Sequence, residues 1–209
     1  MVLFPGASAP LLIFEPRYRR MLADCLQGDH RFGLICLPVG MAERDLTAGR
    51  VGTIALIDAA ETLPDGRSKI AITGEDRFAF ERYVESDTPY HVAATTQYDD
   101  FPEPNGELDE AAEQLQEQFE RVARAARTLA DDAAPPPALP DDPGGLAFAI
   151  AAMVDLTTDQ RQKLLESRSP LERMRDVGAI LDVAAVPMER YAEVHRRARQ
   201  NGRGTLEAT

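Results

Sequence analysis

Apolar and polar positions alternate most regularly between residues 50 and 98, and the chain is organised around that stretch. Two apolar runs, one opening with Val51-Gly-Thr-Ile-Ala and the other with Lys69-Ile-Ala-Ile, flank Pro64-Asp65-Gly66. Proline sets φ for a first corner, aspartate bonds nearby backbone and glycine accepts positive φ, so the segment predicts a β-hairpin. Ile70 and Ile72 alternate with Lys69 and Thr73, and Phe78 and Phe80 resume the alternation after Gly74. That pattern predicts one long strand, bulged or bent at the glycine. Residues 51–57 are apolar at both parities, as in a strand covered on both faces. Tyr90, Val92, Ala94, Thr96 and Tyr98 share one face of a further strand. Upstream, residues 11–14 read as a short strand, and Glu15 and Pro16 open a helix with Tyr18, Met21, Leu22 and Cys25 on one face. Gly28 ends that helix, residues 32–37 form a buried strand, and residues 41–49 are a polar loop. The expectation is a small, strongly bent antiparallel sheet or barrel with an inserted helix.

Beyond Tyr98 the period changes to that of a helix. Leu108, Ala112, Leu115, Phe119, Val122, Ala126 and Leu129 step by four and three, a narrow seam that reads as bundle core. Glu117 with Arg121 and Glu120 with Arg124 are spaced for ion pairs on its wet side. Residues 131–145, with Pro135-Pro-Pro and Pro140-Asp-Asp-Pro-Gly-Gly, predict an extended linker. Residues 146–154 are apolar all round, which predicts a short helix enclosed by protein. Thr157 with Gln160, and Ser169 with Glu172, have capping-box spacing and mark two more helix starts. Leu171, Met174, Val177, Gly178, Leu181 and Ala185 stripe the last helix, Pro187 is expected to kink or end it, although Met188, Tyr191 and His195 can carry a continuation, and the arginine-rich tail from Arg196 is expected to fray. The fold class is therefore α+β, with a β-rich domain over residues 1–100 and a helical domain over 101–209 that contains the Pro-rich linker 131–145.

Composition narrows the function classes. The 209 residues are 44% hydrophobic and 28% charged, which supports a buried core. A net charge of -12 opposes phosphate backbones and anionic membrane surfaces, so the expectation is no nucleic acid and no membrane as partner. The apolar opening lacks a basic region and is interrupted by Pro5, and no apolar run approaches the ~20 residues of a membrane span. Cys25 and Cys36 have no metal-ligand spacing and read as free thiols in a reducing compartment, the cytoplasm. His30, His91 and His195 lie far apart, and the acidic pairs at 99–100, 131–132 and 141–142 lie in connectors, where carboxylates serve solubility and capping. No serine sits in a G-x-S-x-G elbow and no phosphate loop G-x-x-x-x-G-K-[ST] is present. The reading has no catalytic residue, no metal and no cofactor.

Six segments in order carry a family resemblance: Val2-Leu-Phe-Pro-Gly, Leu12-Ile-Phe-Glu-Pro-Arg-Tyr-Arg-Arg-Met-Leu, Phe32-Gly-Leu-Ile, Val51-Gly-Thr-Ile-Ala, Pro64-Asp-Gly-Arg and Gly74-Glu-Asp-Arg-Phe. Together they resemble the signature of the Lon protease N-terminal domain family, and residues 150–172 resemble a motif of the helical bundle that follows in it. The resemblance implies a PUA-like small β-barrel with an inserted helix, followed by an α-helical bundle. It also implies recognition of protein substrates for an attached protease. Without a phosphate loop, the sequence is similar to stand-alone members that lack ATPase and protease domains. Family members usually carry a further apolar strand before the Val2 motif; if Met1 is the true start, its absence predicts a sheet edge that either another segment of this chain covers or a second copy does, in a homo-oligomer formed through it.

The resulting expectation is a non-enzymatic, ATP-independent module that binds exposed apolar or extended peptide segments of unfolded proteins. Two alternatives stand beside it, an RNA-binding PUA-like module and a small-molecule binder with a pocket between barrel and bundle. Glu15, Arg17, Tyr18, Gly74 and Arg77 match family-typical positions and are the candidate binding residues. Each also has a structural use: Glu15 with Pro16 opens a helix, Tyr18 packs it down, Gly74 permits a bend, and Arg77 pairs with a carboxylate, with Glu15 as the first choice of partner.

Overall fold

The computed structural model describes residues 1–203 and separates them into two compact units. The first comprises residues 1–101 and 151–168; the second comprises residues 102–150 and continues from Ser169.

In the first unit the chain runs β1 (Ser8–Ile13), α1 (Pro16–Gln27), β2 (Arg31–Leu34), a 3-10 turn at Glu43–Asp45, β3 (Val51–Thr62), β4 (Ser68–Val84) and β5 (Val92–Gln97). Gly66, at φ +81°, closes the β3–β4 hairpin where the sequence places its turn. All pairings are antiparallel. β3 lies along one edge of β4; β1 and β5 share the other, β1 beside residues 68–73 and β5 beside residues 78–84. Among the described residues the hydrogen-bonded path is open, from β1 through β4 and β3 to β2. Leu3, Ile13, Leu22, Ala55, Ile57, Ile70 and Ile72 form the core.

Gly74 marks a bulge: between the pairs Thr53–Arg77 and Ala55–Gly74, β4 advances three residues where β3 advances two. The N-terminal segment crosses β4 at this point, with Gly6 N–H donating to Gly74 O (2.8 Å) and Gly74 N–H donating to Ala7 O (2.9 Å). A Cβ at Gly74 would lie 2.2 Å from the Phe4 carbonyl oxygen. Close approach of two backbones thus requires glycine here, beyond the bend the sequence suggests.

The helix α4 (Thr158–Glu166) belongs to the same unit. Thr157 caps it, accepting from Gln160 N–H at 3.2 Å while the Gln160 side chain accepts from Thr157 N–H at 2.9 Å. Its buried Gln162 donates to Val51 O on β3 (3.0 Å). The sequence reading assigns this stretch to the helical half, because a helical period does not reveal what the helix packs on.

In the second unit, α2 (Asn105–Ala130) and α5 (Pro170–Arg203) pack side by side and run parallel. Gln118 donates to Asp182 (2.7 Å), Arg121 to Glu189 (3.0 Å), and Asp131, just past α2, lies 3.0 Å from His195. Leu115 and Phe119 of the predicted seam are buried, but Arg121 reaches across to α5 rather than back to Glu117. Gly178 permits the approach, since a Cβ there would lie 2.4 Å from Gln118 Oε1. α3 (Pro143–Met153), which belongs to this unit up to Ile150, buries Leu146, Ala147, Phe148 and Ile150, as its all-round apolar pattern requires. Ser169 accepts from Glu172 N–H (3.0 Å), and Glu103 accepts from Ser169 Oγ (2.5 Å) and Leu171 N–H (2.9 Å), which satisfies the first turn of α5.

The helix continues through Pro187 to Arg203, the continuation that Met188, Tyr191 and His195 allow. One expectation needs correction: the stretch 196–203 is helical rather than frayed. Pro187 sits on an exposed face, where water can satisfy the carbonyl that loses its partner. The remainder of the expected tail, from Gly204, lies outside the described residues.

Replacing Gly74 by alanine forces the Phe4 backbone to move and is expected to destabilise the protein by about 1–3 kcal/mol. Urea unfolding of Gly74→Ala measures this; a loss below about 0.5 kcal/mol would mean that the crossing segment shifts at no cost.

Candidate functional site

The first unit holds a cleft of about 350 Å³ on one face of its sheet. Phe78 and Phe80 of β4 and Ile54 of β3 form its floor. Phe78 can lie flat because two glycines face it: a Cβ at Gly33 would lie 3.0 Å from the ring, and one at Gly52 2.7 Å. Tyr18 and Met21 of α1, Leu46 from the loop before β3, and Ala93 and Thr95 of β5 make the walls. Tyr83, Tyr90, His91 and Glu43 stand at the rim.

Glu43 organises that rim. Its carboxylate accepts both terminal nitrogens of Arg17, Nη1 to Oε2 at 2.6 Å and Nη2 to Oε1 at 2.9 Å, a bidentate pair. Tyr18 Oη donates to Glu43 Oε1 (2.6 Å), and His91 Nε2 lies 3.4 Å from Oε2. The backbone oxygen of Glu43 accepts from Tyr83 Oη (2.6 Å), so both ends of the residue are tied. Arg17 Nε donates to Glu15 Oε2 (2.9 Å) and the guanidinium lies over the Tyr18 ring. The rings of Tyr83 and His91 are 4.6 Å apart, and Tyr90 Oη donates to Asp24 (3.0 Å), itself bonded by Arg20.

The electrostatics follow from this. The hydrogen bond from Arg17 holds the Glu43 carboxyl below its usual range, and the bond from Tyr18 adds to it. Burial pushes the Tyr18 phenol up to about 12, helped by its bond to Glu43. Glu43 in turn holds the Arg17 guanidinium more firmly protonated. Burial also raises Tyr83 and Tyr90, with Glu43 and Asp24 contributing respectively.

Of the candidate residues only Tyr18 lines the cleft; Arg17 is joined to its rim through Glu43 and Glu15 through Arg17, while Gly74 and Arg77 have no part in it. Arg77 is buried and paired, but with Asp100 rather than with Glu15, and Nη1 donates to Leu165 O (2.8 Å) and Ser167 O (2.6 Å). The reason is topological: Tyr98 N–H donates to Arg77 O (3.0 Å), which delivers the residues just after β5 to the Arg77 side chain. Asp100 therefore has a partner that its acidic-pair setting did not suggest. Glu43, the residue that joins the candidates, was hidden in a polar loop without periodicity. His30 is exposed at φ +64°, and Cys25 and Cys36 are free thiols, with burial raising the former. Among the described residues no group of three or more His, Cys, Asp or Glu side chains is placed to hold a metal ion, and no helix is long and apolar enough to cross a membrane.

Residues 1–183 match the family model described as the ATP-dependent protease La (LON) substrate-binding domain, and the chain belongs to that family. Among its relatives, a Lon protease of Xanthomonas oryzae pv. oryzae is 29% identical over 187 residues, 87% of this chain and 22% of that protein. A Lon protease of Desulfosudis oleivorans is 23% identical over 179 residues, covering 84% of this chain and 22% of that protein. The chain thus spans about a fifth of the length of these relatives. Among solved structures, the N-terminal domain of Mycobacterium avium complex Lon protease superposes with a TM-score of 0.62 at 17% identity, covering 87% of this chain and 92% of that one. The Lon N-terminal domain protein from Xanthomonas campestris gives 0.56 at 23% identity, covering 85% and 92%. These two likenesses establish the fold.

Two experiments probe the site's construction. Because the Glu43 carboxyl is depressed in the folded state, its contribution to stability is complete above the ordinary carboxylate value of about 4.3 and is lost as pH falls below it. Tyr18 is raised, so its contribution holds below pH about 10 and fades as pH rises from there to about 12. Glu43→Gln is expected to lower stability at pH 7 by about 1–2 kcal/mol and flatten the acid limb, and Tyr18→Phe to flatten the alkaline limb, in denaturant midpoints measured against pH. Arg77→Ala removes the guanidinium that Asp100 and the Leu165 and Ser167 carbonyls share and is expected to lose about 2–4 kcal/mol by the same assay, with Arg77→Lys recovering less than half because an ammonium lacks the planar fork.

Proposed function

We propose that this chain is a recognition module that holds exposed apolar or extended segments of unfolded proteins in the cleft of its first unit, without chemistry or ATP use of its own. The family described as a substrate-binding domain supports a role in substrate recognition. The observation that carries the finer reading is the lining of the cleft. Its floor is phenylalanine and isoleucine, and its strongest polar group, Glu43, is already engaged by Arg17 and Tyr18. Such a surface offers apolar contact and aromatic faces more than directed polar recognition, which favours side chains of a peptide over a polar small molecule. The same reading takes the bent sheet as the PUA-like scaffold that the resemblance implies. A net charge of -12 weighs against the RNA-binding alternative, and two free thiols fit a reducing compartment such as the cytoplasm.

Permanently unfolded, carboxymethylated α-lactalbumin and its native form serve as probes on immobilised protein. Retention of the unfolded form alone is expected, and Ala93→Trp, which fills the cleft from the exposed strand β5, is expected to weaken it at least tenfold. Equal retention of native and unfolded probe, or indifference to Ala93→Trp, overturns the reading. Salt-sensitive retention of RNA by the same resin would favour the RNA-binding alternative.

A further inference from the structure

Of the two long helices of the second unit, α2 carries its charge in separate halves and α5 shows the same polarity more weakly, with Arg173 and Arg175 beside Glu172, Asp176 and Asp182 in its first half and Glu189 and Glu193 among the arginines of its second. The first part of α2 holds Glu107, Asp109, Glu110, Glu113, Glu117 and Glu120 and no base; the rest holds Arg121, Arg124 and Arg127 and no acid. Because α5 runs parallel to α2, its Arg190, Arg196, Arg197 and Arg199 gather at the same end as the α2 arginines. Cations near helix C-termini favour the helix dipole, and Arg121 and Arg199 pair within the unit, so part of this segregation has a local cause.

A second feature has no such cause. On the side of α5 turned away from Leu181, Ala185 and Ala192, a row of apolar residues faces water: Val183 is 79% exposed, Val186 58%, Tyr191 65% and Val194 61%. Val183, Pro187, Tyr191 and Val194 recur at steps of four and three, the spacing of a helix–helix seam, and Val186 lies beside Pro187, so α5 has one seam buried against α2 and another uncovered. Valine and tyrosine on a solvated helix face gain nothing for the isolated unit.

We propose that this uncovered seam takes a second copy of the chain, packed antiparallel about a two-fold axis near Pro187. The occupant follows from the charges. A parallel arrangement would set basic end on basic end and acidic on acidic, whereas an antiparallel one sets the arginine end of each copy beside the acidic half of the other, and one surface serves both copies. This inference is independent of the cleft and of what the cleft binds.

Sedimentation velocity over a range of concentrations is expected to give a monomer–dimer equilibrium for the unchanged protein. Val183→Glu combined with Val194→Glu alters only exposed positions and is expected to raise the dimer dissociation constant at least tenfold, with an unchanged circular dichroism spectrum as the control for folding. Orientation is read from a spin label at Glu172→Cys in a Cys25→Ser, Cys36→Ala background: two-fold packing near Pro187 separates the labels by roughly 45 Å at 1.5 Å per residue, whereas parallel packing brings them to about 10 Å. A monomer at every concentration, a dimer that persists in the double variant and so uses another surface such as the edge of β5, or the short label distance each overturns the proposal.

Discussion

A strand of 17 residues cannot stay regular while it pairs on both edges, because right-handed twist accumulates along it and carries its neighbours out of register. β4 meets this constraint with a bulge between Gly74 and Arg77 against β3 and a second between Phe80 and Arg82 against β5. Before the first bulge it pairs with β1 and sends Ile70 and Ile72 into the core; after it, β4 pairs with β5 and sends Phe78 and Phe80 to the cleft floor. The first irregularity therefore separates a structural half of the strand from a half that shapes a binding surface. The N-terminal segment crosses at Gly74, where β4 has no side chain in the way.

Charge settles how the cleft keeps its mouth in shape. Its wall comes from α1 and its rim from a loop and the start of β5, elements with no backbone pairing among them. Glu43 joins these parts through Arg17, Tyr18, Tyr83 and His91, and the strength of the joint lies in its bidentate, partly shielded arginine pair. Fully exposed pairs on the same surface, such as Arg44 with Asp45, add little by comparison. The apolar floor can then remain open without the rim collapsing over it.

The hairpin at Gly66, the bulge at Gly74, the capping box at Thr157 and the enclosed helix α3 were all legible, since each rests on local conformational preference or on the period of apolar residues. Arg17 and Tyr18 were legible as candidates through the family resemblance, but their common partner was not. Glu43 lies in a short 3-10 turn, and Asp100 in a connector; neither position has a period, and the contact each makes is set by tertiary approach. The same limit explains Arg77, whose burial was anticipated while its partner was misjudged: pairing across a sheet depends on which strand lies beside which. At Pro187 the sequence left the helix free to end or to continue, and its place on a wet face, where a proline disturbs far less than inside, goes with continuation.

The first unit is discontinuous in sequence, and this bears on how it is made. Arg77 rests on carbonyls of Leu165 and Ser167, and Val51 on Gln162, yet residues 102–150 intervene between β5 and the stretch that supplies these groups. A ribosome adding 5–20 residues per second needs roughly 3–13 s to pass from Phe101 to Arg168. Through that interval the emerging sheet carries a guanidinium whose carbonyl acceptors do not yet exist, whereas every residue that lines the cleft, from Tyr18 to Thr95, has already been made. The nascent chain thus presents its own phenylalanine-lined surface before its fold is closed, and early exposure of that surface is built into the order of the sequence.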